Sequence, residues 1–238
     1  MTRLYTARAG LAAERSGDTT RVTRLRSDGP IALRETAEAV YLVGAAAGPL
    51  GGDDLELDIV VGPGARLNVR STAAALALPG RGESCLAIRA TVGEGGHLDF
   101  APEPTVAAKG CHHRAVADIA LGEGATLRWR EELILGRHKE VPGRHSSRFD
   151  VTIEGVPLLR HELCLHDPDV FATSAVLGDA KAVGSLLLVG TGLPRDPYAA
   201  DGVSVLPLAG PGVLITVTAD DSAELRRRLD RAEAAQVA

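Results

Sequence analysis

Apolar residues in this chain recur at every second position, and they do so within a repeated frame. LELDIVV leads into VGPGARLNV at Val61, SCLAIRATV into VGEGGHLDF at Val92, and RAVADIAL into LGEGATLRW at Leu121. The copies are spaced by about 30 residues, a period that marks stacked architectures. After each Gly-x-Gly the alternation resumes, with Leu67 and Val69, Leu98 and Phe100, Leu127 and Trp129. Each unit therefore reads as strand, tight turn, strand, with two glycines flanking Pro63, Glu94 or Glu123 so that the backbone can reverse without a Cβ clash. A degenerate fourth unit, RFDVTIEGVPLLRHELCL, pivots on Glu154-Gly155. One such unit cannot bury its apolar face alone, whereas stacked neighbours share a continuous core. The pattern predicts a mostly β protein: a layered or β-helical stack of antiparallel strand-turn-strand units.

The last third departs from this frame. FATSAVLGDAKAVGSLLLVGTGLP predicts a loop or short helix and then a buried strand, and GPGVLITVTADD predicts another strand. The end is helical: Asp220, Asp221 or Ser222 can cap SAELRRRLDRAEAAQ, with Leu225 and Leu229 on one stripe. Glu224 to Arg228 and Arg226 to Asp230 have ion-pair spacing, and the run Arg226-Arg227-Arg228 reads as a solvated face. No Pro- or Ser-rich linker divides the chain, so residues 1–238 are expected to form a single domain with a short helical C-terminal part.

Composition narrows the function. The chain has 45% hydrophobic but only 3% aromatic residues, with 27 glycines, so its core must be aliphatic and its path rich in turns. A formal charge of -5 and few aromatic side chains leave neither the electrostatic footprint nor the stacking platform that nucleic acid needs. The same shortage of aromatics disfavours a carbohydrate-binding surface. MTRLYTARAGLAAERSGDTTR is broken by charges, and apolar runs such as Leu186 to Gly190 are too short to cross a bilayer. A cytoplasmic protein without a membrane partner is expected. Three cysteines, Cys85, Cys111 and Cys164, suit free thiols better than a disulfide framework.

The chemistry-bearing residues point in few directions. None of the Gly-x-Gly turns extends to a phosphate-binding signature, and each is followed by a strand where a cradle needs a helix N-terminus. Ser185 lacks the flanking glycines of a nucleophile elbow. HELCLH, His161 to His166, places Leu165 where a zinc-protease helix needs its second histidine, and on a strand His161 and His166 would face opposite ways. Cys111-x-His113 and Cys164-x-His166 are the metal-ligand candidates, since alternation puts each Cys and its His on one face, and thiolate with imidazole suits nickel or zinc. The plainer reading makes the two cysteines core residues and the histidines strand-end polar groups. His112, His138 and His145 read as surface residues. Asp53, Asp54, Glu56 and Asp58 do not match the calcium-loop spacing and read as a polar outer face. Glu131 and Glu132 are adjacent on a strand and so diverge, which does not make an acid/base pair.

In their order, the segments resemble the UreD/UreH family of urease accessory proteins. The resemblance is carried by VYLVGAAAGPLGGDDLELDIVVGPGARLNVRST, LDFAPEPTVAAKGCHHR, LRWREELILGRHKEVPGR, VPLLRHELCL, AVGSLLLVG and GPGVLITV, which together span nearly the whole chain. It implies a β-rich, non-catalytic maturation factor acting in the cytoplasm with UreF, the GTPase UreG and apo-urease while nickel is inserted. It also implies an internal route for nickel in transit, with no tightly bound cofactor and with GTP on a partner. Gly51, Gly52 and Asp53 of the GGD motif and Glu103 of the PEP turn carry over as partner or fold-motif candidates. The segment Ser71 to Gly82 departs from the family pattern, so no role is carried onto it. A metal-dependent β-fold enzyme using the two Cys-x-His pairs is the alternative.

Overall fold

The computed structural model describes residues 4–193 and 196–237; Met1 to Arg3 of the amino-terminal segment and Pro194 of the GTGLP stretch lie outside them. In chain order the elements are β1 (Thr6–Ser16), β2 (Thr19–Arg26), β3 (Ile31–Glu35), β4 (Val40–Gly44), β5 (Asp54–Val61), β6 (Arg66–Ser71) and β7 (Ala75–Ala77). Then come β8 (Ser84–Val92), β9 (His97–Phe100), β10 (Thr105–Ala107), β11 (His112–Leu121), β12 (Thr126–Ile134), β13 (Arg144–Ile153) and β14 (Val156–Leu165). After α1 (Pro168–Phe171) follow β15 (Ala182–Val189), β16 (Tyr198–Ala200), β17 (Val203–Pro207), β18 (Gly212–Ala219) and α2 (Ser222–Val237). The protein is mostly β, a solenoid-like stack of coils with a C-terminal helix, as the repeat predicts.

One expectation is corrected. The first three repeats are not antiparallel hairpins: β5, β8, β11 and β13 lie side by side in one sheet, while β6, β9 and β12 lie in another, and each series pairs in parallel. Each Gly-x-Gly turn carries the chain from the first sheet to the second, so a strand pairs with its counterpart one repeat away rather than with its sequence neighbour. The turns stack as well, with the Gly64 amide donating to the Glu94 carbonyl and the Gly95 amide to that of Glu123, both at 2.8 Å. In the third turn the two glycines have separate tasks: a Cβ on Gly122 would come within 2.8 Å of the Glu94 nitrogen, and Gly124 sits at φ +64°. Antiparallel pairing is found at β1–β2, β3–β4 and β13–β14, and where β12 is extended through β15, β18, β17 and β16. The fourth unit is thus a true hairpin, with Glu154 and Gly155 both at positive φ.

Side-chain alternation then fixes what lies between the sheets. Leu57, Ile59, Val61, Ile119, Leu121 and Val151 from the first sheet meet Leu67, Leu98, Phe100, Leu127, Trp129 and Leu187 from the second. Phe100 and Trp129 stack with centroids 4.1 Å apart, which lets two of the few aromatics fill the centre. On the outer side of the second sheet, Leu225 and Leu229 of α2 close a separate core with Leu186, Val213, Ile215 and Val217. Asp221 caps that helix by accepting from the Glu224 amide at 2.8 Å. Among the described residues no helix is long and apolar enough to cross a membrane.

Candidate functional site: the cavity between the sheets

Away from the Gly-x-Gly turns the sheets do not fill the space between them, and a cavity of ≈ 860 Å³ remains. Much of its lining is aliphatic, including Leu57, Leu86, Ile88 and Leu133. Polar side chains enter it in two rows set by strand register. On the second sheet Glu131 faces Ser185, Ser185 faces Thr216, and Thr216 faces Ser204, and all four line the cavity. On the first sheet His145, Ser147 and His161 line it, and next to His145 in register lie the buried His113 and then Ser84, which do not.

The electrostatics of these groups follow from burial. Desolvation pushes the Glu131 carboxyl above the usual range, opposed by the Trp129 Nε1–H that donates to it at 2.9 Å. Burial drives His113 down to about 4. It drives His145 down to about 3, helped by the charges of His113 and His166. Both rings are therefore neutral at pH 7. His113 Nδ1 lies 2.9 Å from Ser84 Oγ, whereas His145 Nδ1 and His161 Nδ1 are buried without a partner.

The residues singled out in the sequence are distributed over several places. Cys111 is buried, donates to the Arg144 carbonyl at 3.7 Å, and has its thiol pushed up to about 11 by burial. Cys164 is exposed on the opposite side of its strand from Leu165. The two Cys-x-His pairs are thus not brought together through their thiols; His166 lies edge-on to His112, the chain neighbour of His113, with ring centroids 5.3 Å apart. Among the described residues no three His, Cys, Asp or Glu side chains are arranged around one point as metal ligands. Asp53, grouped in the sequence with the polar outer face, is instead buried and accepts from the amides of Tyr5 and Leu50, both at 2.9 Å. A Cβ on Gly51 would meet the Gly80 nitrogen at 2.6 Å, so this glycine permits two chain segments to touch. Glu103 lines the cavity and pairs with Arg226 at 2.5 Å.

Three further readings need correction. His145 is 3% exposed rather than a surface residue, because it shares the inward parity of Phe149 and Val151 on β13. The arginine run is not simply a solvated face, since Arg226 bridges Glu103 and Glu132 while Arg228 donates to the carbonyls of Asp201 and Thr218. Asp230 pairs with Arg130 rather than with Arg226. Sequence reasoning also passed over Glu131 as a cavity residue, although its parity with Leu127, Trp129 and Leu133 gives it the same facing.

The fold is a solenoid-like, two-sheet β stack with a largely aliphatic cavity between its sheets. Comparison with known sequences gives it a family. The profile described as "UreD urease accessory protein" matches residues 5–237. The chain is 45% identical to the urease accessory protein UreD of Parafrankia sp., over 94% of this chain and 86% of that protein. It is 42% identical to that of Streptomyces coelicolor, over 87% of each, and 40% identical to that of Streptomyces avermitilis, over 95% of each. The chain belongs to the UreD family of urease accessory proteins.

Proposed function

We propose that this chain is a non-catalytic scaffold that works in the cytoplasm on apo-urease, together with UreF and the GTPase UreG, while nickel is inserted into the urease active site. The observation that carries the reading is the family match along residues 5–237, joined to a fold that leaves a cavity between its two sheets. In this reading nickel is cargo passing through the cavity, and the nucleotide is handled by a partner. The first sheet's outer face carries the ion pairs of Arg8 and Arg89 with Asp54, Glu56 and Asp58.

The test is deletion of this chain from cells that carry urease. Urease activity should be lost with nickel supplied, and tagged protein should co-purify with UreF and apo-urease. Full activity in the deletion strain, with no partner recovered, would sink the reading.

A further inference from the structure

The first sheet ends in two open edges, β2 and β14, and their side chains differ in what they admit. An edge strand presents unpaired amides and carbonyls to any strand laid beside it, and charges of one sign on the edge discourage that pairing. On β2 the exposed charges are Arg21, Arg24 and Arg26, all of one sign, so a second copy laid along this edge meets repulsion. On β14 the exposed charges are Arg160 and Glu162, of opposite sign and two residues apart. That edge is self-complementary.

The neighbouring strand leaves both charges available. Register sets Arg160 opposite Asp150 and Glu162 opposite Arg148 on β13, but Arg148 and Asp150 bind each other, with Arg148 Nη2 donating to Asp150 at 2.8 Å. Among the described residues Arg160 and Glu162 therefore have no ion-pair partner. β14 pairs with β13 alone, and no backbone hydrogen bond joins its other edge to another described part of the chain. Beyond the bulge at Val151 and Thr152 the alternation is regular: Leu159, His161 and Leu163 turn inward, while Arg160, Glu162 and Cys164 turn to solvent.

We propose that β14 is a self-association edge, which pairs antiparallel with β14 of a second copy of this chain about a twofold axis at His161. In a twofold interface residue i meets j and j meets i, and in an antiparallel pair the axis falls on a residue. Centring on His161 sets Arg160 against the partner's Glu162, Glu162 against the partner's Arg160, and Leu159 against the partner's Leu163. Centring on Glu162 or Arg160 would bring like charges face to face, so the charges select the register. Across the joined sheet the row then reads Arg148, Glu162, the partner's Arg160, the partner's Asp150, alternating in sign. The same alignment carries Val156, 66% exposed, toward the partner's end of β14, where α1 shows Val170, 57% exposed. Two apolar side chains left open in one copy are thereby covered together. The inference goes beyond the maturation reading and does not rest on it.

The test is sedimentation equilibrium of the purified full chain, from micromolar to near-millimolar concentration. The mass should rise from monomer to twice that value. Arg160→Glu and Glu162→Arg should each weaken association by about tenfold or more, because two symmetry-related pairs turn repulsive at once. An equimolar mixture of the two variants should regain the parent's association, since each then meets its opposite charge. Arg24→Glu, on the far edge, should leave association unchanged. Because a charge reversal beside β13 can loosen the hairpin, the wild-type protein supplies a second readout. In hydrogen exchange, amides of β14 should gain protection as concentration rises, while those of β2 do not. A wild-type chain that stays monomeric throughout, folded single variants that associate like the parent, a folded mixture that stays monomeric, or protection gained at another edge overturns the proposal.

Discussion

The Arg226 guanidinium of α2 lies 3.3 Å from Glu132 Oε2, and Glu132 is itself bonded through Oε1 to Arg130 Nε at 2.8 Å. Arg226 also reaches Glu103 at 2.5 Å, so one helix residue joins β12 to the turn before β10. Farther along α2, Asp230 meets Arg130 and Glu233 meets Arg128, so the helix is fastened to the second sheet along its length.

These pairs differ in worth. Glu132 and Arg130 are buried, whereas Glu103 and Arg226 are each about two-fifths exposed. Glu132→Ala leaves Arg130 without its buried partner and should destabilise by about 3–5 kcal/mol. Glu103→Ala removes a screened contact and should cost less than about 1 kcal/mol. Urea unfolding of both variants checks the ordering, and equal losses would show that burial is not what distinguishes the two pairs.

The stacked turns give a second contrast. An alanine at Gly122 places a carbon against the backbone of Glu94, whereas at Gly124 the nearest atom is 4.0 Å away and only the left-handed φ is unfavourable. Gly124→Ala should cost about 1–2 kcal/mol. Gly122→Ala must displace a neighbouring coil and should cost more, about 2–3 kcal/mol. Thermal unfolding of the two variants measures the difference.

These glycines also show what the sequence could reveal. The period and alternation of residues around Val61, Val92 and Leu121 were enough to predict a stack of strand-turn-strand units with an aliphatic core. The pairing direction was not visible, because Gly-x-Gly can close a hairpin or link two sheets, and only the spacing of whole repeats decides between them. His145 was missed for a related reason. Its loop-like neighbourhood, VPGRHSS, hides that β13 begins at Arg144, one residue earlier. Glu131 was read from its sequence neighbour Glu132, whereas its role is set by Trp129 and by Ser185 across the sheet.

The central aromatic pair should report on the whole core. Trp129 is the only tryptophan and is fully buried against Phe100. Phe100→Ala should destabilise by about 3–5 kcal/mol and red-shift Trp129 emission as its ring loses its stacking partner. An unshifted spectrum in a folded variant would contradict the packing.

Acid stability provides the last test, and its sign follows from the buried histidines of the first sheet and the desolvated Glu131 of the second. His113 and His145 titrate near 4 and 3 when folded, against an ordinary value of 6.5. Below pH 6.5 the unfolded chain takes up protons that the folded chain refuses, so their stabilising contribution, present above that pH, is lost as pH falls toward 3–4. For two such groups the loss is about 4 kcal/mol between pH 7 and pH 5. Glu131 acts in the opposite direction: its carboxyl is raised in the folded chain from an ordinary 4.5, so its contribution is present below 4.5 and lost as pH rises through the folded value. His145→Gln should therefore flatten the fall in unfolding midpoint between pH 7 and pH 5, while Glu131→Gln should raise stability at pH 7 relative to pH 4. Thermal unfolding across that range, in both variants and the parent, separates the two contributions. If His145→Gln retains the parent's pH slope, the imidazole is not held neutral by burial and the electrostatic description of the first sheet's histidines fails.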